Sequence, residues 1–165
     1  MKTLLLMRHA KSSRDDASLP DHDRPLNNRG ESDAPRMGRL LRNEGLTPDI
    51  IISSSAARAL ATAEAVGDAC HYTNTAGVLV VPELYPGDSP SYVRVLREIP
   101  EEFYCVLVVG HNPAIETFLS ELVETAAILP TAAVAVVQLP IEQWKKFSAK
   151  GHGVLKTVWR PRDIE

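Results

Sequence analysis

Five short apolar segments, each about as long as a β-strand, alternate along the chain with segments that carry helical signals. This alternation favours an α/β fold in which helices cover both faces of a largely parallel sheet. Because 165 residues suffice for one core but rarely for two, we predict a single domain over residues 1–165. The five apolar segments span residues 3–7, 49–52, 78–81, 106–109 and 133–139.

The intervening segments contain capping signals that predict where helices start. Asn28 and Glu31 form a capping-box pattern before the first helix, which is expected to bend or to start late because of Pro35. Ser89 is expected to cap the third helix, since a proline then occupies the first helical position. The tail, residues 154–159, alternates apolar and polar residues as a half-exposed edge strand would, with an antiparallel orientation as one option.

The overall composition excludes several classes of protein. A net charge of −3 argues against a surface that binds nucleic acid. Cys70 and Cys105 are too few for a disulfide framework and lack the spacing of metal ligands, which favours the reducing cytoplasm. No apolar segment has the length of a signal-peptide core or of a membrane span. We therefore expect a soluble cytoplasmic protein that binds neither nucleic acid nor a membrane.

Lysine and arginine are distributed unevenly along the chain. Neither residue occurs within residues 59–93 or within residues 98–144. A site that binds an anion must therefore take its positive charges mainly from the first 58 residues. That part of the chain contains Arg8, Lys11 and Arg58.

Polar side chains follow four of the predicted strands at the point where each strand ends. Arg8 and His9 close the first segment, His111 follows the fourth, Arg58 lies just beyond the second, and Glu83 follows the third. The carboxyl ends of parallel strands meet at one edge of a sheet, where open α/β folds bind their ligands. Paired guanidiniums suit a tetrahedral oxyanion, and a neutral imidazole can act as a nucleophile. The sequence therefore predicts an anion site with two imidazoles, two guanidiniums and a carboxylate.

Each of these residues also has a simpler interpretation, because polar residues commonly end strands where the strands reach the surface. Paired histidines with a carboxylate can bind a metal, but Arg8 beside His9 would repel a divalent cation, so no metal site is expected. Lys11 and Ser12 follow His9 after one intervening residue, Ala10, and can add donors to a bound phosphate. The charged loop around His22 is expected to be solvated, with closure over the site as the alternative.

The ordered set of motifs resembles the histidine phosphatase superfamily, also called phosphoglycerate mutase-like, and within it the small SixA-type phosphohistidine phosphatases. The similarity extends from residue 2 to about residue 139, and the motifs follow the family's order. The chain departs from the broader family at position 10, where alanine replaces the usual glycine. The resembling segments are Arg8-His9-Ala10, residues 24–30, residues 54–63, Pro82-Glu83-Leu84 and Gly110-His111-Asn112-Pro113.

The resemblance implies a three-layer phosphoglycerate mutase-like fold, with a mainly parallel central sheet flanked by helices and with no metal or organic cofactor. It implies that His9 is transiently phosphorylated while Arg8, Arg58 and His111 hold the phosphoryl group. It also makes Glu83 the candidate proton donor. The expected activity is hydrolysis of protein phosphohistidine, and the expected partner is a phosphohistidine-bearing protein such as a phosphotransfer domain.

The length of the chain bears on the substrate. The interval over residues 69–106 leaves little room for the helical cap that superfamily members acting on small phosphate esters commonly insert. An uncapped site admits a protein side chain, and the imidazole of a phosphohistidine leaves easily once it is protonated near neutral pH.

Two alternative functions are a broad small-molecule phosphomonoesterase and a phosphopeptide-binding module. The intact pair of His9 and His111 disfavours the binding module, because binding alone needs no nucleophile. The oligomeric state stays open, with a monomer as one option.

Overall fold

The computed structural model describes residues 1–150 and 153–164, and within them six strands form one sheet flanked by helices. The predicted α/β architecture is therefore confirmed. In chain order the main elements are β1 (Lys2–Arg8), α1 (Asn28–Asn43), β2 (Ile50–Ser54), α2 (Ala57–Cys70), β3 (Leu79–Val81), α3 (Ser89–Arg97), β4 (Cys105–Gly110), α4 (Ala114–Val123), β5 (Val134–Leu139) and β6 (Val154–Trp159).

The sheet is mixed, because five of its strands run in one direction and β5 runs in the opposite direction. Its strand order is β3-β2-β4-β1-β5-β6. The pairs β3–β2, β2–β4 and β4–β1 are parallel, whereas β5 runs antiparallel to β1 and β6 runs antiparallel to β5. The tail strand β6 is an edge strand as predicted, but it is antiparallel only to its neighbour β5 and runs in the same direction as β1, so the option of a strand antiparallel to the rest of the sheet is wrong. Because β5 begins beside the carboxyl end of β1, the segment just before β5 reaches the same edge of the sheet as the residues that follow β1.

The core occupies both faces of the sheet. Along β1, Leu4 and Leu6 pack against residues of α3 and α4, whereas Leu5 and Met7 pack against residues of α1 and α2. All four side chains are fully buried. Successive residues of a strand point to opposite faces, so a strand that is apolar at every position must be covered on both sides.

The first helix starts as a capped helix, but its cap is one residue earlier than predicted. Asn27, not Asn28, is the N-cap, and its side chain accepts a hydrogen bond from the Gly30 N–H at 2.9 Å. Leu26 pairs with the loop that follows β1, which keeps the chain extended up to the cap. The helix contains Pro35 and is regular on both sides of it, so the predicted late start is wrong.

The third helix also begins one residue away from the prediction. Asp88, not Ser89, is the N-cap, and its carboxylate accepts from the Ser91 N–H at 2.9 Å. Pro90 then occupies the second helical position, where the missing N–H is equally harmless. An aspartate directly before Ser-Pro is as good a cap as serine, so the sequence alone left the two equivalent.

The carboxyl-terminal part of the chain completes the sheet edge. Trp144 lies in a short 3-10 turn and is fully buried, which makes it the largest side chain of the core. His152, an expected surface residue, lies outside the described part of the chain. In the described residues, none of the helices combines the length and the apolar character needed to cross a membrane.

Helices α1 and α2 approach each other closely at Gly38. A Cβ added there would lie 2.6 Å from the Val66 carbonyl oxygen and 2.7 Å from the Ala69 Cβ. The added Cβ would meet backbone that cannot easily move, so the overpacking cost lies in the upper part of its usual range, about 2–3 kcal/mol, against about 1 kcal/mol that alanine gains in helix propensity, and Gly38→Ala should lower the free energy of unfolding by about 1–2 kcal/mol. Urea unfolding measures this difference.

The matched control for Gly38→Ala is its exposed neighbour. Arg39→Ala should change the free energy of unfolding by less than about 0.5 kcal/mol, because the side chain lies at the surface. A Gly38→Ala protein as stable as the wild type would show that the two helices can separate without cost.

Candidate active site

A cavity of about 610 Å³ lies at the edge of the sheet where β1, β2 and β4 end. Six of the predicted site residues line it, and they come from three different strand ends or from the segments that follow them. The structure therefore brings two imidazoles and two guanidiniums together from residues more than 100 positions apart, since 111 − 9 is 102. The six residues are Arg8, His9, Lys11, Ser12, Arg58 and His111.

His9 is buried, and a backbone hydrogen bond fixes its ring. Its Nδ1 lies 2.7 Å from the Ala10 carbonyl oxygen. A carbonyl only accepts, so Nδ1 carries the ring proton and Nε2 keeps its lone pair. Burial, reinforced by the charges of Arg58 and Arg8, lowers the pKa of His9 to about 4. At neutral pH, Nε2 is therefore unprotonated, as a nucleophile requires.

His111 faces His9 with the opposite arrangement of its ring nitrogens. The two ring centroids are 5.1 Å apart. Nε2 of His111 lies 2.7 Å from the Ser54 Oγ, which already accepts from the Ala56 N–H at 3.1 Å. Because the Ala56 N–H is itself a donor, the serine hydroxyl donates its proton to His111 Nε2, which accepts, and Nδ1 then carries the ring proton. Burial, with smaller contributions from His9 and Arg58, lowers the pKa of His111 to about 3, which makes it a neutral donor.

The Arg8 guanidinium is held by the segment that precedes β5. Its terminal nitrogen NH1 donates to the Leu129 carbonyl oxygen at 3.1 Å, and the same oxygen accepts from Asn112 Nδ2 at 3.2 Å. Glu116 supports both groups, because its carboxylate accepts from the Leu129 N–H at 2.7 Å and from Asn112 Nδ2 at 2.8 Å. One end of Arg8 is therefore fixed by a closed hydrogen-bond network.

The Arg58 guanidinium is held by a different residue, Asp21. NH1 of Arg58 donates to the Asp21 carbonyl oxygen at 2.7 Å, and NH2 donates to the Asp21 carboxylate at 2.9 Å. The carboxylate also accepts from the Tyr85 hydroxyl at 2.7 Å and from Arg24 Nε at 3.1 Å. The Tyr85 hydrogen bond, followed by those of the two arginines, holds the pKa of Asp21 well below its usual range, so this carboxyl is ionised.

Three buried N–H groups at the cavity have no hydrogen-bond partner among the described residues. They are Arg8 Nε, Arg58 Nε and His111 Nδ1. An unsatisfied buried donor is costly, and most such groups in folded proteins find a partner. Because all three are donors on residues that line one cavity, they suit a ligand that offers several acceptor atoms, such as a tetrahedral oxyanion.

The cavity is strongly positive although the chain as a whole is negative. Five cationic and two anionic side chains line it, which leaves +3 when the histidines are neutral, whereas the chain carries −3. All five cations come from the first 58 residues, so the prediction from the uneven distribution of charge is confirmed. The cations are Arg8, Lys11, Arg14, Arg24 and Arg58, and the carboxylates are Asp15 and Asp21.

The charged loop around His22 packs against the site, which is the alternative to a solvated loop, although the side chains of Asp21 and Asp23 stay about half exposed. His22 Nε2 lies 2.9 Å from the Ser55 Oγ, and its ring packs edge-on against Tyr85 with centroids 4.7 Å apart. The physical reason is the ion pair between Asp21 and Arg58, which joins residues 37 positions apart. The local charge pattern of a loop does not reveal a partner at that distance in sequence.

Glu83 does not line the cavity. Its carboxylate accepts from Arg94 Nε at 3.1 Å, and both side chains are about half exposed on the outer side of α3. Arg94 is therefore the partner of Glu83, and its side chain stays exposed. The carboxylate that approaches the histidines is Asp21 instead, and it is ionised and hydrogen-bonded to three side chains.

Two residues of the resembling motifs shape the loop after β1. The Ala10 side chain is fully buried in the core beneath α1 and α2, and its N–H donates to the Thr62 Oγ1 at 3.0 Å. The alanine methyl therefore does not narrow the cavity. A Cβ added at Gly30 would collide with the Lys11 carbonyl oxygen, so only glycine lets α1 lie this close to the loop.

Sequence reasoning missed four residues that complete the site. Ser54 ends β2 and could have been found by the same criterion of polar residues at strand ends. Asn112 directly follows His111 and belongs to the same motif. Asp21 and Tyr85 come from loops, where no periodicity marks a side chain that will turn towards the site. In the described part of the chain, no group of three or more histidine, cysteine, aspartate or glutamate side chains is arranged to hold a metal ion.

Comparisons with known proteins agree with this geometry. The family model of the histidine phosphatase superfamily (branch 1) matches residues 4–79. The phosphohistidine phosphatase SixA of Escherichia coli is 33% identical over 140 residues, which cover 82% of this chain and 84% of that protein.

Solved structures extend the similarity over nearly the whole chain. A protein histidine phosphatase SixA in complex with tungstate superposes with a TM-score of 0.82 at 28% identity and covers 99% of both chains. A structure assigned to SixA from Nakamurella multipartitia gives a TM-score of 0.84 at 28% identity, covering 97% of this chain and 96% of its own. An Escherichia coli structure described as an alpha-ribazole-5'-P phosphatase is 16% identical with a TM-score of 0.72, which shows a shared fold.

The buried histidines predict how stability depends on pH. In the unfolded chain a histidine has a pKa near 6.5, whereas in the folded protein the pKa is about 4 for His9 and about 3 for His111. Between these values the unfolded state binds more protons than the folded state, so the free energy of unfolding should fall as the pH is lowered from about 6.5 towards 4. Urea unfolding across this range measures the fall.

Two variants test the origin of that dependence. His9→Asn should show a shallower fall than the wild type, because one of the two buried imidazoles is removed. His71→Asn changes an exposed histidine outside the cavity and should keep the wild-type fall. Equal slopes for all three proteins would rule out the buried pair as the cause.

Proposed function

The chain belongs to the histidine phosphatase superfamily, branch 1, and from this premise we propose that it hydrolyses phosphohistidine in proteins through a covalent phospho-His9 intermediate. The similarity to phosphohistidine phosphatases of the SixA type, together with this membership, supports a phosphatase. The observation that carries the finer proposal is the combination, at one cavity, of an unprotonated His9 Nε2 with three buried N–H donors that have no partner among the described residues.

In the first step, His9 Nε2 attacks the phosphorus of the substrate, and the bond from phosphorus to the substrate's leaving atom breaks. The negative charge of the transferring phosphoryl oxygens is stabilised by Arg8, Arg58 and the Nδ1–H of His111. Catalysis of this kind depends mainly on position and on charge stabilisation, because phosphoryl transfer requires little covalent assistance from the protein. Lys11 and Ser12 are positioned at the cavity to add donors.

In the second step, water attacks the phosphorus of phospho-His9, the P–N bond breaks, and inorganic phosphate leaves. His9 Nε2 recovers its lone pair, and the hydrogen bond from Nδ1 to Ala10 keeps the ring in the same tautomer throughout. The low pKa of His9 favours this step, because a weakly basic nitrogen is a better leaving group.

The leaving group decides between substrate classes. An alkoxide needs a proton as it departs, but Glu83 is bonded to Arg94 away from the cavity and Asp21 is ionised. An imidazole accepts a proton near neutral pH without help from a carboxylic acid. Neither Glu83 nor Asp21 is therefore placed to supply that proton, which supports phosphohistidine over alcohol and sugar phosphates.

The substrate is proposed to be carried by a protein, such as a phosphotransfer domain. The Escherichia coli relative is named a phosphohistidine phosphatase, and the interval between β3 and β4 contains α3 and no inserted cap. A small-molecule phosphomonoesterase with the same site is the competing activity, and a binding module without turnover is the third possibility. The following measurements distinguish the three.

The first test of the proposed function removes the nucleophile. A rapid quench at alkaline pH during turnover of a phosphohistidine peptide should trap a phosphoenzyme that is stable in base and labile in acid. His9→Ala should lose this species and lower kcat by more than about 1,000-fold, because Nε2 of His111, the other histidine among the described residues that line the cavity, is hydrogen-bonded to Ser54. His71→Asn, with an exposed histidine, should retain both. Full turnover by His9→Ala, or tight binding without released phosphate in the wild type, would contradict the proposal.

The second test of the proposed function substitutes Glu83, the carboxylate that lies outside the cavity. Glu83→Gln should change kcat/KM by less than about 2-fold for a phosphohistidine peptide and for alkyl phosphates alike, because the side chain does not touch the cavity. We expect the peptide to be the better substrate. A selective loss of alkyl phosphatase activity in Glu83→Gln would identify Glu83 as a general acid and would favour the phosphomonoesterase.

A further inference from the structure

Asp21 is hydrogen-bonded twice to Arg58, although no step of the proposed chemistry uses Asp21. It lies in a short 3-10 turn, Asp21–Asp23, within the loop that joins β1 to α1. Both its main-chain carbonyl and its carboxylate accept hydrogen bonds from Arg58. An ionised carboxylate in a cavity that binds a phosphoryl dianion is repelled by the ligand, so its presence needs an explanation.

The pattern of donors on Arg58 gives that explanation. The two terminal nitrogens NH1 and NH2 are bonded to Asp21 at 2.7 and 2.9 Å, whereas Nε is buried and has no partner among the described residues. A planar guanidinium presents its donors along fixed edges, so bonds at the terminal end set the direction of the edge that carries Nε. Asp21 therefore occupies the end of Arg58 and leaves the side edge for another acceptor.

Asp21 is itself well anchored. The Tyr85 hydroxyl donates to its carboxylate at 2.7 Å, and Arg24 Nε donates at 3.1 Å. Arg24 in turn donates through NH1 to the Ser12 Oγ at 2.7 Å and to the Ser13 carbonyl at 3.1 Å, which ties the two ends of the loop together. The carboxylate is thus fixed from two elements besides Arg58, and it can hold the guanidinium rather than merely follow it.

On the phosphoryl chemistry proposed above, we propose that Asp21 is a positioning residue that fixes Arg58 so that its Nε–H and one terminal N–H face the transferring phosphoryl group. Asp21 acts through Arg58 and does not touch the reacting atoms. The corresponding group on Arg8 is the neutral Leu129 carbonyl, which also binds a terminal nitrogen and leaves Nε unpaired. The two guanidiniums are therefore presented in the same manner by two unrelated acceptors.

A double-mutant cycle between Asp21 and Arg58 tests this role. Two quantities are measured for each variant: kcat/KM with a phosphohistidine peptide and the Kd of orthovanadate by calorimetry. Asp21→Ala should weaken both by about 10- to 100-fold in the wild-type background, since small misplacements of a catalytic group have effects of this size. In the Arg58→Ala background the same substitution should cost less than about 2-fold, because the residue it acts through is gone.

Two further variants separate positioning from stability and from general charge. Asp21→Asn keeps an oxygen that accepts from Arg58 NH2 and should recover part of the loss, and it serves in place of Asp21→Ala if the alanine variant does not fold. Asp16→Ala removes a carboxylate from the same loop whose hydrogen bonds go only to Ser18, and it should change both quantities by less than about 2-fold.

The outcomes distinguish failure of this inference from failure of the proposed function. If Arg58→Ala binds orthovanadate as tightly as the wild type, Arg58 is not a phosphoryl ligand and the proposed function fails. If Arg58→Ala weakens binding while Asp21→Ala has no effect, or has the same effect in both backgrounds, then only the positioning role of Asp21 is overturned.

Discussion

The parallel pairing of β1 with β4 is the constraint on which the site depends. In this register Arg8 lies opposite Gly110, and the His9 N–H donates to the Gly110 carbonyl at 3.1 Å. His9 and His111 therefore leave the sheet at the same level, which brings their rings to 5.1 Å. A slip of one residue would move every side chain of β1 to the other face, where the close-packed core has no space shaped for it. The apolar strands thus set the distance between the two imidazoles.

The same burial sets the protonation of the site. Both imidazoles lie near the core and beside guanidiniums, and each of these conditions disfavours the imidazolium. Their pKa values fall to about 4 for His9 and about 3 for His111, so the cavity holds two neutral rings among positive charges. Hydrogen bonds then give the rings different roles, because a carbonyl at Ala10 leaves Nε2 of His9 free while the Ser54 hydroxyl leaves Nδ1 of His111 as a donor.

The strands and the residues at their carboxyl ends could be predicted from the sequence, because periodicity and strand ends are local properties. Arg8, His9, Arg58 and His111 were found in this way. The direction of β5 could not be predicted, since its apolar pattern is the same for either orientation, and with it the contact of Leu129 with Arg8 was missed. The position of Asp21 depends on an ion pair across 37 residues of sequence, and the error at Glu83 has the same origin, because its partner Arg94 lies on the next helix.

The acceptors that hold the two guanidiniums differ in charge, and this difference matters for turnover. Arg8 is bonded to a carbonyl and keeps its full charge, whereas Arg58 is bonded to an ionised carboxylate that offsets part of its charge. Two fully charged guanidiniums would bind substrate, transition state and phosphate product with similar strength, and binding that is uniform along the reaction does not raise kcat. When the charge of one of the two guanidiniums is partly offset, binding of the phosphoryl group depends more on the directions of the N–H donors and less on net positive charge.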